Sequence, residues 1–353
     1  MEMNEGLKEM IDRLESHGEL SIEEYAELIR FRNQETAGYL AERADVVRRR
    51  EYGNQVFIRG LIELTNYCKN DCYYCGIRRS NRFAQRYRLE EEEVFHCCDV
   101  GYAQGFRTFV IQGGEDLYYT PDRVAHMIEG IKKKYPDCAV TLSLGEKSRT
   151  VYKKWYDAGA DRYLLRHETA DESHYKKLHP GNMSLLRRKQ CLWELKEIGY
   201  QVGAGFMVGS PYQRISNLAQ DLVFLKTLNP HMVGIGPFIP AKNTPFETER
   251  GGNAELTLYL LSIIRLMLPR VLLPATTALG TVERNGRVRG MQAGANVVMP
   301  NLSPQEVRDQ YTIYNRKISR GAEGIEGLEQ LKQQMREAGY EVVVSRGDYR
   351  NED

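Results

Sequence analysis

Residues 158–165, Ala158-Gly159-Ala160-Asp161-Arg162-Tyr163-Leu164-Leu165, read as the end of a helix, a glycine turn and a short strand. Glycine enters the left-handed conformation that ends a helix without steric cost, so the turn has a physical cause. The same unit recurs at Gly105, Gly199 and Gly294, ahead of the strand-like runs Thr108 to Gln112, Gln201 to Met207 and Asn296 to Met299. Further β-rich runs cover Val56 to Leu64, Ala139 to Ser143, Met232 to Pro237 and Val271 to Thr276, which with Arg162 to Leu165 makes eight. Eight strands separated by amphipathic helical stretches predict an α/β protein of the (β/α)8 TIM-barrel class. A doubly wound open sheet also alternates strands and helices, but it uses fewer strands, and no dinucleotide fingerprint follows the first strand here.

The flanks differ from this pattern. Residues 1–50 have helical apolar spacing (Met10, Leu14; Leu20, Tyr25, Leu28, Ile29; Leu40), with Ser21 and Glu24 forming a capping box. They are expected to form an N-terminal helical extension before a barrel over 51–304. Residues 305–353 are expected to form a small C-terminal cap, with a helix near Gly327 to Ala338 and a strand near Tyr340 to Val344.

Composition narrows the function. Of 353 residues, 42% are hydrophobic and 27% charged, enough apolar residues for a large core. Lys and Arg number 49 against 48 Asp and Glu, so bulk charge favours neither nucleic acid nor an anionic membrane. The most apolar stretch, Leu256 to Pro274, is broken by Arg265, Pro269 and Arg270, and no export signal opens the sequence. No membrane or nucleic-acid partner is expected, and a cytoplasmic location is.

Three of the seven cysteines, Cys68, Cys72 and Cys75, fall within eight residues as C-x3-C-x2-C, just beyond the first strand. In a barrel that loop opens on the face where active sites sit. A structural zinc site needs four ligands, yet no His or fourth Cys lies between Val56 and Phe95. Three thiolates instead suit one 4Fe-4S cluster whose fourth iron stays open for a ligand. Cys97, Cys98, Cys138 and Cys191 are expected to pack as small apolar groups, leaving no second ligand set, and no cysteine follows Cys191.

With this motif the sequence resembles the radical S-adenosylmethionine superfamily, in which the open iron holds S-adenosylmethionine and reductive cleavage yields a 5'-deoxyadenosyl radical. Tyr74, before the third cysteine, matches the aromatic residue that meets the adenine. Gly113, Gly114 and Glu115 follow the second strand, where two glycines admit close backbone approach and a carboxylate can accept the methionine ammonium. A narrower resemblance, to the HydE family of FeFe-hydrogenase maturases, runs from about Phe57 to Tyr314. It rests on the strings Tyr74 to Arg79, Thr141 to Glu146, Ala158 to Thr169, Gly234 to Pro240 and Pro274 to Ala278.

The site residues follow from position and resemblance together. Arg166 and Glu168 close the fourth strand, two residues apart and facing the same way, so they can pair with each other as well as with a ligand. Arg166 can grip an anion with two hydrogen bonds, and Thr276 and Thr277, ending the seventh strand, offer hydroxyl donors. The resemblance implies that these three line a catalytic anion pocket, that Glu168 lies beside the adenosyl ligand and that Arg188 meets its carboxylate. Met299, Tyr311 and Tyr314 are candidates to close the cavity. His167 alternates to the other side of the strand and is read as structural.

The resemblance further implies a small organometallic substrate, an iron carbonyl cyanide bound to cysteine, supplied by HydG and passed on as a di-iron precursor to HydF. Reduced ferredoxin or flavodoxin is the implied electron donor. Two rivals stay open on the sequence. One is an amino-acid carbon-skeleton mutase like methylornithine synthase, and the other a non-catalytic metal-cluster protein.

Overall fold

A computed structural model describes residues 4–319 and 321–350. The first strand runs as two halves, β1 (Gln55–Ile58) and β2 (Gly60–Thr65), divided at Arg59. They are followed by β3 (Thr108–Gly113), β4 (Ala139–Ser143), β5 (Arg162–Leu164), β6 (Gln201–Ala204), β7 (Met207–Val208), β8 (Met232–Val233), β9 (Gly236–Pro237) and β10 (Val297–Val298). A parallel sheet runs β2-β3-β4-β5-β6-β8. The ring is completed where Met232 bridges Leu272, Pro274 bridges Val297, and β10 pairs in parallel with β1 through Phe57–Val297 and Ile58–Val298. The dividing point at Arg59 lets one continuous segment pair with the last strand by its first half and with β3 by its second. The expected barrel is therefore present.

One strand departs from expectation. Residues 271–276 make only the two isolated bridges at Leu272 and Pro274. Proline has no N–H to give to a ladder, so the seventh position is held by single contacts. Each of the four glycines read as helix ends is left-handed, with φ of +93° at Gly105, +108° at Gly159, +112° at Gly199 and +99° at Gly294.

Helices cover the outside of the ring: α1 (Glu5–His17), α2 (Ile22–Arg30) and α3 (Gln34–Tyr52) precede it. Between strands lie α4 (Glu91–Ala103), α5 (Pro121–Lys134), α6 (Arg149–Asp157), α7 (Glu172–Leu178), α8 (Leu185–Ile198), α9 (Ile215–Leu228), α10 (Ala254–Met267), α11 (Thr277–Val282) and α12 (Gly286–Gln292). The N-terminal helices pack on the barrel, α3 against α10 and α2 against α9. This explains why α10 is apolar nearly all round: every residue from Thr257 to Met267 is buried. Arg265, the charge that breaks its apolar run, is fully buried and donates to Gly294 O at 2.8 Å and Pro269 O at 2.6 Å. Among the described residues no helix is long and apolar enough to cross a membrane.

After the barrel come α13 (Gln305–Arg308), α14 (Leu328–Glu337) and β11 (Glu341–Val343). This segment reaches both ends of the barrel. Gly76 N donates to Ile313 O at 2.9 Å and Asn66 Nδ2 to Gln310 O at 2.8 Å at the end carrying the cysteine loop. At the opposite end β11 pairs with β1, and Asp348 meets the buried Arg162 at 2.6 Å.

Arg48 of α3 fastens these parts. Wholly buried, it donates to Ala295 O at 3.1 Å, Gly53 O at 2.8 Å and Gln55 O at 2.8 Å, with Tyr340 4.4 Å from its guanidinium carbon. Arg48→Met keeps the apolar volume but strands three carbonyls, a cost of about 1–3 kcal/mol for each group left buried and unpaired. The expected result is a thermal unfolding midpoint lowered by several degrees. An unchanged midpoint would show that the extension does not stabilise the barrel.

Candidate active site

Residues 66–88, following β2, contain no helix and no strand, so their buried polar groups must be satisfied by side chains. Asn66 does part of this, donating to Gln85 O at 2.6 Å and accepting from Tyr87 N at 2.8 Å. Arg86 donates to the carbonyls of Ile77 (2.8 Å), Arg78 (2.7 Å), Asn81 (3.2 Å) and Asn66. Asp71 accepts from Arg78 Nε at 2.7 Å, Ser80 N at 3.0 Å and Ser80 Oγ at 2.6 Å. Burial opposes its charge, but the bonds from Arg78 and Ser80 prevail and hold the carboxyl down at about 2.

This frame carries Cys68, Cys72 and Cys75, all half-buried and free of disulfides. Glu115 N donates to Cys68 Sγ at 3.4 Å, and Cys72 Sγ lies 3.8 Å from Met183 Sδ. Burial pushes all three thiols up, Cys75 to about 12, and negative neighbours add to the shift. Thiols in such a place ionise when a metal centre supplies the positive charge. Among the described residues no three His, Cys, Asp or Glu side chains gather as a single-ion site. A 4Fe-4S cluster asks for something else, one thiolate on each of three irons, and the donor set fits it.

The neighbouring strand ends close on this loop. At Gly114 a Cβ would stand 2.0 Å from Tyr67 O and 2.9 Å from Cys68 Cβ, so the missing side chain admits the cysteine loop itself. Glu115 is buried, and its Oε1 accepts from Asn70 Nδ2 at 2.9 Å and Glu146 N at 3.1 Å. Its Oε2 lies 3.1 Å from Lys69 Nζ without a well-aimed hydrogen bond. Tyr74 meets His179, hydroxyl to Nε2 at 3.1 Å, and burial pushes that imidazole down to about 3, so it is neutral.

Beyond β5, Arg166 and Glu168 face each other at 3.1 Å. The contact is between Arg166 NH2 and Glu168 Oε2 and is not a well-aimed hydrogen bond, and Arg166 Nε, also buried, has no hydrogen-bond partner. Orphaned donors and acceptors of opposite sign suit a ligand that carries both ammonium and carboxylate. Glu168 has φ of +67°, a costly conformation for a residue with a side chain, and it is fixed by Glu168 N to Gly205 O at 3.1 Å and Met207 N to Glu168 O at 3.2 Å. His167 points the other way, wholly buried, with Nε2 3.3 Å from Asp221 Oδ1 and Nδ1 accepting from Gly205 N at 3.4 Å.

Arg188 of α8 reaches into the site, with Nε 2.5 Å from Glu146 Oε1 and NH1 2.8 Å from Arg166 O. Burial opposes its charge, yet Tyr175 and Glu146 hold it firmly cationic. Arg187 instead binds Glu194 at 2.9 Å, which separates the two adjacent arginines.

The remaining candidates divide between the two barrel ends. Thr276 and Thr277 do not end a strand: Thr276 is the N-cap of α11, accepting from Leu279 N at 3.4 Å, and Thr277 begins the helix. Thr277 gives its hydroxyl to Glu323 Oε2 at 2.9 Å, which also meets Arg287 at 2.6 Å. Tyr311 is buried near the mouth, 3.5 Å from Gln112 Nε2, and Tyr314 is half-buried on the same segment. Met299 instead packs with Phe57, Leu164 and Val297 beside Tyr349, towards the closed end. Cys97, Cys98, Cys138 and Cys191 are buried, and burial pushes their thiols up. Asp71, Arg86, Glu146 and His179 were not singled out by the sequence; the signal for Arg86 was the crowding of arginines after the third cysteine.

Residues 62–225 match the family model described as the Radical SAM superfamily. The chain is 44% identical to the [FeFe] hydrogenase maturase subunit HydE of Thermotoga maritima, over 88% of each chain. It is 30% identical to a 3-methylornithine synthase of Methanosarcina acetivorans, over 85% of each. Among solved structures, methylornithine synthase (PylB) superposes with a TM-score of 0.84 at 27% identity, covering 95% of this chain and 97% of that one. HydG, a maturase of the [FeFe]-hydrogenase, gives 0.82 at 20% identity over 96% and 76%, a likeness of fold.

The lacing by Arg86 generates a test. Arg86→Lys keeps the charge but cannot reach four carbonyls, so it should lower iron retention about 10–100-fold, the range for groups that support metal ligands. Iron and sulfide analysis after anaerobic reconstitution reads the effect, with circular dichroism as the check that the barrel is folded. Full iron content in the lysine variant would show that the loop holds its shape without this side chain.

Proposed function

Because the chain belongs to the HydE family of the radical SAM superfamily, we propose that it matures the FeFe-hydrogenase di-iron cofactor by radical attack on a small anionic iron carbonyl cyanide bound to cysteine. It is an enzyme that binds a 4Fe-4S cluster and S-adenosylmethionine. The observation that carries the reading is the convergence of three free thiols with the incompletely bonded Arg166–Glu168 pair at one end of a closed parallel barrel.

Cys68, Cys72 and Cys75 would hold the cluster, which when bound would supply one-electron reduction of S-adenosylmethionine to methionine and a 5'-deoxyadenosyl radical. Glu115 accepts the methionine ammonium, displacing Lys69 from Oε2, and Arg188 faces the carboxylate. Tyr74 bounds the adenine and Glu168 lies beside the adenosyl group. Gly113 and Gly114 keep the β3 end close to the cysteine loop. Arg166 grips the anionic substrate, Thr276 and Thr277 border it, and Tyr311 and Tyr314 keep water from the mouth. Met299, packed towards the closed end, forms the cavity floor. Substrate comes from HydG, product goes to HydF, and reduced ferredoxin or flavodoxin supplies the electron, all within the cytoplasm.

A mutase of the methylornithine synthase type is the second reading, favoured by the 30% identity to that enzyme. Incubation with lysine separates the two: formation of methylornithine would overturn the maturase assignment.

Two variants test the chemistry. Cys72→Ala should leave the barrel folded while losing most iron and all 5'-deoxyadenosine formation, because no other thiol stands ready to replace it. Retained cleavage in that variant would remove the cluster assignment. Arg166→Lys keeps charge and cluster but loses the planar two-point grip, worth about 1.5–3 kcal/mol or one to two orders of magnitude in substrate affinity. Unchanged affinity would make Arg166 a structural partner of Glu168 alone.

A further inference from the structure

Residues 66–88 hold six Lys or Arg against the single acid Asp71, in a chain whose overall charge is +1. Four of the six have structural work: Lys69 meets Glu115, Arg78 meets Asp71, Arg88 meets Asp116, and Arg86 binds carbonyls. Arg79 and Arg82 are exposed and have no carboxylate partner among the described residues. Arg82 stands between two residues that line a groove, Asn81 and Phe83, and the same groove is lined by Lys242 and Arg316, also exposed and without a carboxylate partner among the described residues. The groove holds about 420 Å³, is lined by Asn81, Phe83, Lys242, Tyr314 and Arg316, and carries on its edge a phenyl ring left 78% exposed, that of Phe83.

The groove is continuous with the cluster site through backbone. Gly76, next to Cys75, donates to Ile313 O at 2.9 Å, and a Cβ at Gly76 would stand 2.0 Å from Thr312 O. Asn315 N donates to Pro240 O at 3.0 Å, and Lys242 N to Asn315 Oδ1 at 2.8 Å. Three segments are thereby locked into one wall, with Cys75 immediately behind it. Glu247, on the same loop as Lys242, has its Oε2 engaged by Asn243 N at 2.9 Å.

We propose that this wall is the docking face for a small acidic one-electron carrier protein, with Arg82, Lys242 and Arg316 as its charge partners and Phe83 as its apolar anchor. The inference rests on the radical SAM reading, which requires a low-potential electron at Cys75 from outside the chain. Two features favour such a partner. Unneutralised cations attract an acidic protein over a distance and speed its arrival, and a single exposed aromatic amid charges suits a brief complex more than a permanent one. In the transfer, the reduced carrier loses one electron to the cluster. From there the electron would reach the sulfonium of S-adenosylmethionine, whose bond from sulfur to the 5' carbon would break to give methionine and the radical.

The test uses the reconstituted holoenzyme and an acidic ferredoxin as probe. Binding is measured by calorimetry at low and high salt, and 5'-deoxyadenosine formation is driven in parallel by reduced ferredoxin and by dithionite, which needs no docking. The double variant Arg82→Glu with Lys242→Glu should bind ferredoxin at least about tenfold more weakly and lose ferredoxin-driven turnover in proportion, as expected for reversed charges at a steered interface. Its dithionite-driven rate should match the unmodified enzyme. Phe83→Ala should weaken binding at both salt concentrations. Unchanged ferredoxin affinity in the double variant overturns the proposal, as does a loss confined to a partner maturase. If dithionite yields no 5'-deoxyadenosine even in the unmodified enzyme, the radical reading fails by itself, while the calorimetry still decides the docking face.

Discussion

A loop without helix or strand has to find a partner for every buried amide and carbonyl it contains, and the site depends on how residues 66–88 meet that demand. Three thiols must be presented in fixed positions from a segment with no regular backbone bonding. The solution is to use charged side chains as scaffolding. The Arg86 guanidinium ties four carbonyls, the Asp71 carboxylate gathers Arg78 and Ser80, and Asn66 joins the loop start to its end and to Gln310. The concentration of arginine after Cys75 is therefore structural first. Cations remaining on the outside after that work are what distinguish this face from an ordinary solvated loop.

The barrel was legible because its signals are local. A glycine at a helix end and a β-branched run after it need no knowledge of distant residues, and all four glycines read in this way are left-handed. A fifth unit of the same kind, Gly339 at φ +80° ahead of β11, lies in the C-terminal segment, where the last strand joins β1. Its role at the barrel's end was not legible, since pairing between Gln55 and Glu341 depends on the whole chain coming together. The three cysteines were legible for the opposite reason: their spacing is the signal, and their place after the first strand puts them at the mouth.

What the sequence misjudged lies where a residue type serves two purposes. Threonine after a β-rich run reads as a strand end, but a short helix begins at Thr277, and Thr276 therefore serves as its N-cap. Pro274 is the local sign that the ladder stops early. The hydroxyl of Thr277 goes to Glu323, a partner 46 residues away that no periodicity could supply. The contact between Arg166 and Glu168 was legible from their spacing at a strand end, whereas the bracket behind them was not. His167 faces the outer layer, meets Asp221 there, and together with the backbone bonds to Gly205 and Met207 keeps Glu168 at positive φ. Strain at a residue with an incompletely bonded carboxylate survives only when its surroundings overdetermine it, and these do.

The C-terminal segment gives the barrel its direction. At the far end Arg346 O accepts from Thr108 Oγ1 at 2.8 Å and from Arg162 at 2.9 Å, Asp348 pairs with Arg162, and Gly347 packs against Phe57. That end is filled by the chain's own side chains and backbone. At the other end the same segment, through Gln310 and Ile313, supports the cysteine loop. In the reading proposed above, S-adenosylmethionine and substrate meet at this end, beside the loop that holds the three thiols. A radical enzyme gains from a site walled by its own chain, because exclusion of solvent protects a reactive intermediate. The groove proposed for the electron carrier shares Tyr314 with this mouth, and Cys75 is one residue from Gly76, whose N–H is bonded to Ile313 O, so the path from a docked carrier to the three thiols is short.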